Sequence, residues 1–372
     1  MHLVLATLNF PPARGGVEQL CGELARELQA LGIQVHVLGP HSPGDAEFDA
    51  TVGYRVTRYA GGSARHWNLT RALAPLLADG ARHVLFGQWT AAGLTLAREM
   101  ALPRGVHFST LAHAKEMLVP ERGLRATSLF GAYRRAVLRR MQPVICVSRY
   151  TADGSRAAGA LAVEVVHPGV DSIRFAPGAA ARGSFGGPGR PQLLTVARLV
   201  ARKGIDTVIA ALPELVRVHP QLAYVVVGDG PDRARLQALA EQHGVARHVS
   251  FLGAVDNAEL PALYAAADLF LLMSRQETAD GDVEGFGLVL LEAQACGTPV
   301  VAANSGGMPD ALLPGETGML VNSALPPEFS RALLSLLGDP DRLQAMRQAA
   351  RLHASTCSWR AAAERVAALV ER

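Results

Sequence analysis

The sequence predicts an α/β protein made of two doubly wound domains, each a parallel sheet flanked by helices, facing each other across a cleft. Three observations carry that expectation. The chain has 372 residues, more than one ordinary domain holds and enough for two of similar size. Short β-rich runs alternate with amphipathic helical patterns from end to end, the signature of βα units. A glycine- and proline-rich stretch at 176–191 interrupts the alternation once, near the middle, and reads as a linker.

In the first domain, 1–175, strands are expected near 2–7, 34–38, 83–86, 106–110, 143–147 and 163–166, with amphipathic helices such as Val17–Leu31 and Leu69–Ala78 between them. In the second, 192–354, strands are expected near 192–196, 223–227, 248–252, 268–272, 298–302 and 318–321. These runs are continuously apolar rather than alternating, as required when helices cover both sheet faces. The chain is helical in pattern from about Glu328, and 355–372 is expected to pack back on the first domain.

Composition excludes several classes. Hydrophobic residues at 49% and charged residues at 19% rule out a disordered chain. Aromatics at 5% fit helices on parallel sheets better than an aromatic-rich β-sandwich. A net charge of +3 is too small to argue for nucleic acid. The charge is uneven, however: residues 1–172 carry 18 Lys+Arg against 13 Asp+Glu, so that half is the one suited to an anionic partner. Cys21, Cys146, Cys296 and Cys357 are scattered without ligand spacing and read as reduced thiols. The opening Met1–Thr7 reads as a strand rather than a secretory signal. The best apolar run, Ala262–Met273, is broken by Asp268, so no membrane span is expected.

Four motifs fall at strand ends or strand-to-helix turns. Gly15-Gly16, in Pro11–Glu18, follows the first strand; it is either a plain turn or a place where backbone amides and a helix N-terminus meet an anion. Arg198 and Lys203 bracket the loop after the first strand of the second domain, where they form either a diphosphate clamp or two solvated cations. Glu284-Gly285-Phe286-Gly287-Leu288 leads into a helix that carries Glu292. The two carboxylates, eight residues apart, can address different parts of one elongated ligand. His113, beyond a first-domain strand, is either a structural histidine or a site residue.

Together these residues resemble the retaining glycosyltransferases of family four, which have the GT-B fold. The resemblance runs through Gly15-Gly16-Val17-Glu18, Val147-Ser148-Arg149, His167-Pro168-Gly169-Val170-Asp171, Arg198 with Lys203, Val227-Gly228-Asp229-Gly230-Pro231 and Glu284 with Glu292. It extends through Ser305-Gly306-Gly307-Met308-Pro309-Asp310 and Gly315-Glu316-Thr317-Gly318, and so covers nearly the whole chain. Asp282-Val283-Glu284-Gly285-Phe286-Gly287 looks most like mannosyl-transferring members such as phosphatidylinositol mannosyltransferases.

The resemblance implies transfer of a mannose- or glucose-type hexose from a GDP- or UDP-sugar, with retention, to a lipid, lipid-linked or glycan acceptor. The nucleotide would lie on the second domain and the acceptor on the first. Arg198 and Lys203 would stabilise the departing diphosphate, and Glu292 would hold the ribose. Glu284, with the Gly285, Phe286 and Gly287 amides leading to Leu288, would hold the hexose. His113 would contact it from the first domain, and the Gly253–Asn257 loop around Val255 would meet the base. Gly15 and Gly16 would face the donor. No metal and no other cofactor is expected.

Two further features stand beside that reading. Asp280-Gly281-Asp282 has the D-x-D spacing that binds a divalent cation in another transferase fold, here inside a polar insertion. Residues 122–140 carry Arg122, Arg125, Arg134, Arg135, Arg139 and Arg140 with no acid, and form either a solvated helix or one lying on an anionic membrane. The expected location is cytoplasmic, either free or at the inner face of the cell membrane. A nucleotide-sugar 2-epimerase and a non-catalytic nucleotide-sugar binder are the competing functions on this architecture.

Overall fold

Two parallel sheets of the same winding organise the chain. The structure, a computed structural model, describes residues 1–97, 104–117, 127–176, 190–277, 282–322 and 326–371. Most of the expected linker, with Arg122, Arg125 and Asp280, lies outside these residues.

The first sheet has seven strands: β1 (His2–Ala6), β2 (Gln34–Pro40), β3 (Arg55–Tyr59), β4 (His83–Phe86), β5 (His107–Ala112), β6 (Val144–Cys146) and β7 (Val163–Val165). Their spatial order is β3-β2-β1-β4-β5-β6-β7, every neighbouring pair parallel. The second sheet has six: β8 (Gln192–Val196), β9 (Ala223–Val227), β10 (Val249–Gly253), β11 (Leu269–Leu272), β12 (Val300–Ala303) and β13 (Gly318–Val321). Their order is β10-β9-β8-β11-β12-β13, again all parallel. In each sheet the winding reverses beside the first strand, the doubly wound Rossmann-like pattern.

Burial explains why the strands read as apolar runs. Leu3–Ala6, Leu269–Leu272 and Val300–Ala303 are all fully buried, so helices cover both faces of each sheet. Burying a Leu or Phe side chain contributes about 1.5–3 kcal/mol, so these central strands are the main source of cohesion. Strand β3 was not expected from the sequence. It lies at the sheet edge and alternates Arg-Val-Thr-Arg-Tyr, with only Tyr59 buried. The helices expected at 17–31 and 69–78 are Gly16–Ala30 and Arg65–Ala78.

Two compact units follow. Unit 1 comprises Met1–Gly169 and Trp359–Arg372; unit 2 comprises Val170–Glu277 and Asp282–Ser358. The first changeover falls six residues ahead of the expected 175, for a local reason. Val170 N–H bonds the Cys357 carbonyl at 2.8 Å, and the buried Phe175 ring meets Tyr264 edge-on, with centroids 5.9 Å apart. Helix Trp359–Val370 packs against helix Gly16–Ala30 in unit 1. There Leu20 and Leu24 line a small apolar cavity with Trp359, Ala362 and Val366.

Candidate active site

In unit 2 the winding reverses between β8 and β11, and the loops leaving their carboxyl ends come together there. The loop after β8 passes through a single 3-10 turn, Ala201–Lys203, and enters helix Ile205–Val218 at Gly204. Gly204 has φ +67°, and a Cβ there would run into the Met273 carbonyl beyond β11, so only glycine lets the two loops approach so closely. Arg275 ties the second loop to the first: its N–H bonds the Arg202 carbonyl at 2.9 Å. Its guanidinium grips Asp206, in the first turn of that helix, at 3.1 and 2.8 Å.

The turn presents two cations to Glu284. Lys203 Nζ lies 2.6 Å from Glu284 Oε2, and Arg202 Nη1 lies 3.2 Å from the same oxygen. Arg202 Nε also faces Asp282 at 3.4 Å. Burial opposes ionisation of Glu284, but Lys203 and then Arg202 outweigh it and hold its pKa at about 2, against an ordinary 4.5. The carboxylate is thus charged at neutral pH. Its backbone is gripped from the other side. Gly307 N–H bonds the Glu284 carbonyl at 2.9 Å, and Gly306, at φ +58°, leaves no room for a Cβ against that carbonyl. The Ser305–Asp310 motif therefore sets where Glu284 stands.

Gly285, Phe286 and Gly287 continue from Glu284 into helix Leu288–Ala295, which Gly287 caps. Glu292 lies in its second turn, 6% exposed, and accepts the Tyr264 hydroxyl at 2.8 Å on Oε2. Burial and the neighbouring carboxylate push the Tyr264 pKa well up, so it stays a donor. Arg198 is exposed and makes no side-chain hydrogen bond or ion pair among the described residues. Its loop is stitched to Gly228–Asp232: Leu199 N–H bonds the Asp229 carbonyl at 2.9 Å, and Asp232 N–H bonds the Leu199 carbonyl at 3.1 Å. Gly228 N–H in turn bonds the Gly253 carbonyl at 2.8 Å, which brings in the Gly253–Asn257 loop and half-buried Val255.

Gly15, Gly16 and His113 belong to unit 1: the glycines follow β1, beside its own reversal between β1 and β4, and His113 follows β5, the strand next to β4. Gly15 caps helix Gly16–Ala30, and a Cβ there would meet the Glu18 carboxylate. That carboxylate accepts Asn9 Nδ2 at 2.7 Å, and Asn9 Oδ1 accepts Gln88 Nε2 at 3.0 Å. His113 Nε2 lies 2.9 Å from the Gly87 carbonyl, and Glu116 accepts the His113 N–H at 3.0 Å. Burial drives His113 down to a pKa of about 4 against the opposing pull of Gly87. The ring is therefore neutral near pH 7. Because a carbonyl only accepts, Nε2 carries the proton and Nδ1 is the acceptor.

Arg202, Asp282 as its partner, and Tyr264 were not singled out from the sequence. Adjacency to Lys203 was the available signal for Arg202. Nothing local marks Tyr264, which lies 28 positions from Glu292.

Two Rossmann-like units, with cations and carboxylates clustered at the unit 2 switch point, are the arrangement the resemblance to family-four glycosyltransferases leads one to expect. The comparisons agree. Residues 14–174 match the family described as Glycosyltransferase Family 4, and residues 182–353 match Glycosyl transferases group 1. The chain is 37% identical to a GDP-mannose-dependent alpha-(1-6)-phosphatidylinositol monomannoside mannosyltransferase of Mycolicibacterium smegmatis, over 99% of this chain and 98% of that one. A Corynebacterium glutamicum enzyme described as acting on the monoacylated form is 30% identical over 99% of this chain and 97% of that one. Among solved structures, sucrose-phosphate synthase from Thermosynechococcus elongatus superposes with a TM-score of 0.82 at 23% identity, covering 100% and 98% of the two chains. Anabaena HepE in complex with UDP also gives 0.82, at 20% identity and full coverage of both. The chain belongs to the family-four glycosyltransferases, and it transfers a hexose from a nucleotide sugar.

Proposed function

We propose that this enzyme moves mannose, with retention, from GDP-mannose to a mannosylated phosphatidylinositol lipid. The observation that carries the reading is the Lys203–Glu284 pair at the switch point, inside a chain 37% identical end to end to an enzyme of that description. Arg198 and Lys203 receive the diphosphate as it leaves, fixed charge aimed where charge develops. Glu292, steadied by Tyr264, takes the ribose hydroxyls, and the Gly253–Asn257 loop takes the base. Glu284 and the Gly285–Gly287 amides hold the hexose, whose anomeric carbon gains positive character during transfer. In unit 1, His113 keeps Nδ1 as an acceptor, suited to a sugar hydroxyl. The chain's own cations do the work that other transferases take from a metal.

Helix Ser128–Arg140 docks on an anionic bilayer in this reading. Its exposed face carries Arg135, Arg139 and Arg140 together with Leu129, which is 80% exposed. Among the described residues no helix is long and apolar enough to cross a membrane.

The test is a donor panel of GDP-mannose, UDP-glucose and ADP-glucose with phosphatidylinositol monomannoside in vesicles. Products are read by mass spectrometry and anomeric NMR. A new α-mannoside from GDP-mannose is expected. Turnover of UDP-glucose alone, or sugar interconversion without transfer, would overturn the proposal.

A further inference from the structure

We propose that Arg202 is a positioning residue that holds Glu284 in place when Lys203 turns from Glu284 to the diphosphate. The inference rests on the donor-site reading above and deepens it. Among the described residues, Lys203 Nζ has one short carboxylate partner, Glu284 Oε2 at 2.6 Å. A diphosphate bound between Arg198 and Lys203 competes with Glu284 for that ammonium. With Lys203 as sole partner, Glu284 would lose its anchor on substrate binding, just when the hexose needs it.

Arg202 prevents this. It reaches the same Oε2 at 3.2 Å through Nη1, while Nε faces Asp282 at 3.4 Å. One planar guanidinium thus spans two carboxylates of one loop, a geometry that an ammonium cannot reproduce. Its side chain is 16% exposed, and its backbone carbonyl is held by Arg275 N–H, so the base of the side chain is anchored too. Asp282, whose D-x-D spacing suggests a cation ligand, serves instead as the second seat of Arg202.

The groups facing Glu284 are then Lys203 and Arg202 from the turn after β8, with Asp282 from its own loop through Arg202. Arg275, nearby in the same loop, spends its guanidinium on Asp206. When Lys203 engages phosphate, Arg202 is, among the described residues, the cation left to keep Glu284 ionised.

The test compares wild type, Arg202→Gln and Arg202→Lys, using whichever panel donor wild type turns over. Steady-state kinetics are run from about pH 3.5 to 9, with calorimetry of the bare nucleoside diphosphate and a melting curve for each variant. Arg202→Gln is expected to lower kcat about 10-fold, the low end for a charge-assisted contact. It should change nucleoside diphosphate affinity less than about twofold, and its acid limb of kcat should move to higher pH. Arg202→Lys should restore the pH limb but only part of kcat. Unchanged kcat in Arg202→Gln overturns the proposal. So does a parallel loss of diphosphate affinity, which would make Arg202 a direct phosphate ligand. Failure of wild type on GDP-mannose with success on another donor overturns the mannosyl reading and leaves this comparison decisive.

Discussion

Tyr264 donates its hydroxyl to Glu292 Oε2 across 2.8 Å, and both side chains are buried. A buried carboxylate held by a fixed donor cannot swing to suit successive states of a reaction. It suits a ligand group that keeps its shape throughout, as a ribose does.

Glu292→Gln should therefore raise donor KM by about 10-fold or more with little change in kcat, the pattern for lost uniform binding. Tyr264→Phe removes the steadying bond alone and should raise KM less, by roughly fivefold for about 1 kcal/mol. Calorimetry with bare GDP checks both. A kcat loss larger than the KM change in Glu292→Gln would assign that carboxylate to the reacting sugar instead.

Arg198 makes no side-chain bond among the described residues, so its truncation should leave the melting temperature unchanged. Activity should nonetheless fall, because a charge-assisted contact at the leaving group is worth about 1.5–3 kcal/mol, or about 10- to 150-fold in kcat/KM. Stability and kinetics measured on the same Arg198→Ala preparation separate the two effects. Full activity removes Arg198 from the clamp.

Acid should unfold the protein through two separable windows. His113 sits at about 4 in the fold against an ordinary 6.5, so the unfolded chain binds a proton first, and stability falls as pH drops from about 6.5 to 4. Glu284 sits at about 2 against 4.5, and its contribution, present above 4.5, is lost as pH falls toward 2. Chemical denaturation across pH should show His113→Gln making the upper window shallower, since His36, also lowered to about 4 by burial, shares it, and Glu284→Gln doing the same to the lower. A Glu284→Gln curve parallel to wild type below pH 4.5 would disprove the ion-pair account.

Activity should survive excess chelator. Arg202 and Lys203 already supply positive charge at the switch point, and Asp282 is engaged by Arg202. Initial rates with and without a millimolar chelator decide it. Complete loss, restored by Mn²⁺ or Mg²⁺, would make Asp280 and Asp282 cation ligands.

The parallel strands were legible because both faces are buried, which writes Leu3–Ala6 or Leu269–Leu272 as unbroken apolar runs. Edge strand β3 was not, since Arg55, Thr57 and Arg58 reach solvent or partners outside the core and break that signature. Arg198, Lys203, Glu284 and Glu292 stood out in the sequence through spacing around glycine turns, and the fold places them on the loops and helix of unit 2. The partners that tune them did not stand out. His113 meets Gly87, and Asn9 meets Gln88, only because β1, β4 and β5 are laid side by side. That adjacency belongs to winding order, which no local pattern records. Arg202 was overlooked for the opposite reason: beside Lys203 it reads as one more surface cation until the 3-10 turn aims both at Glu284.

Helix Trp359–Val370 belongs to unit 1 although nearly two hundred residues of unit 2 precede it. During synthesis, Leu20 and Leu24 emerge early, yet the side chains that cover them, Trp359, Ala362 and Val366, are made long afterwards. At about 5–20 residues per second the wait is tens of seconds. Unit 2 is complete at Ser358, so the unit that begins first finishes last. A chain cut after Ser358 would hold a complete unit 2 and a unit 1 whose apolar groove is open. Chaperone demand should concentrate on that first unit.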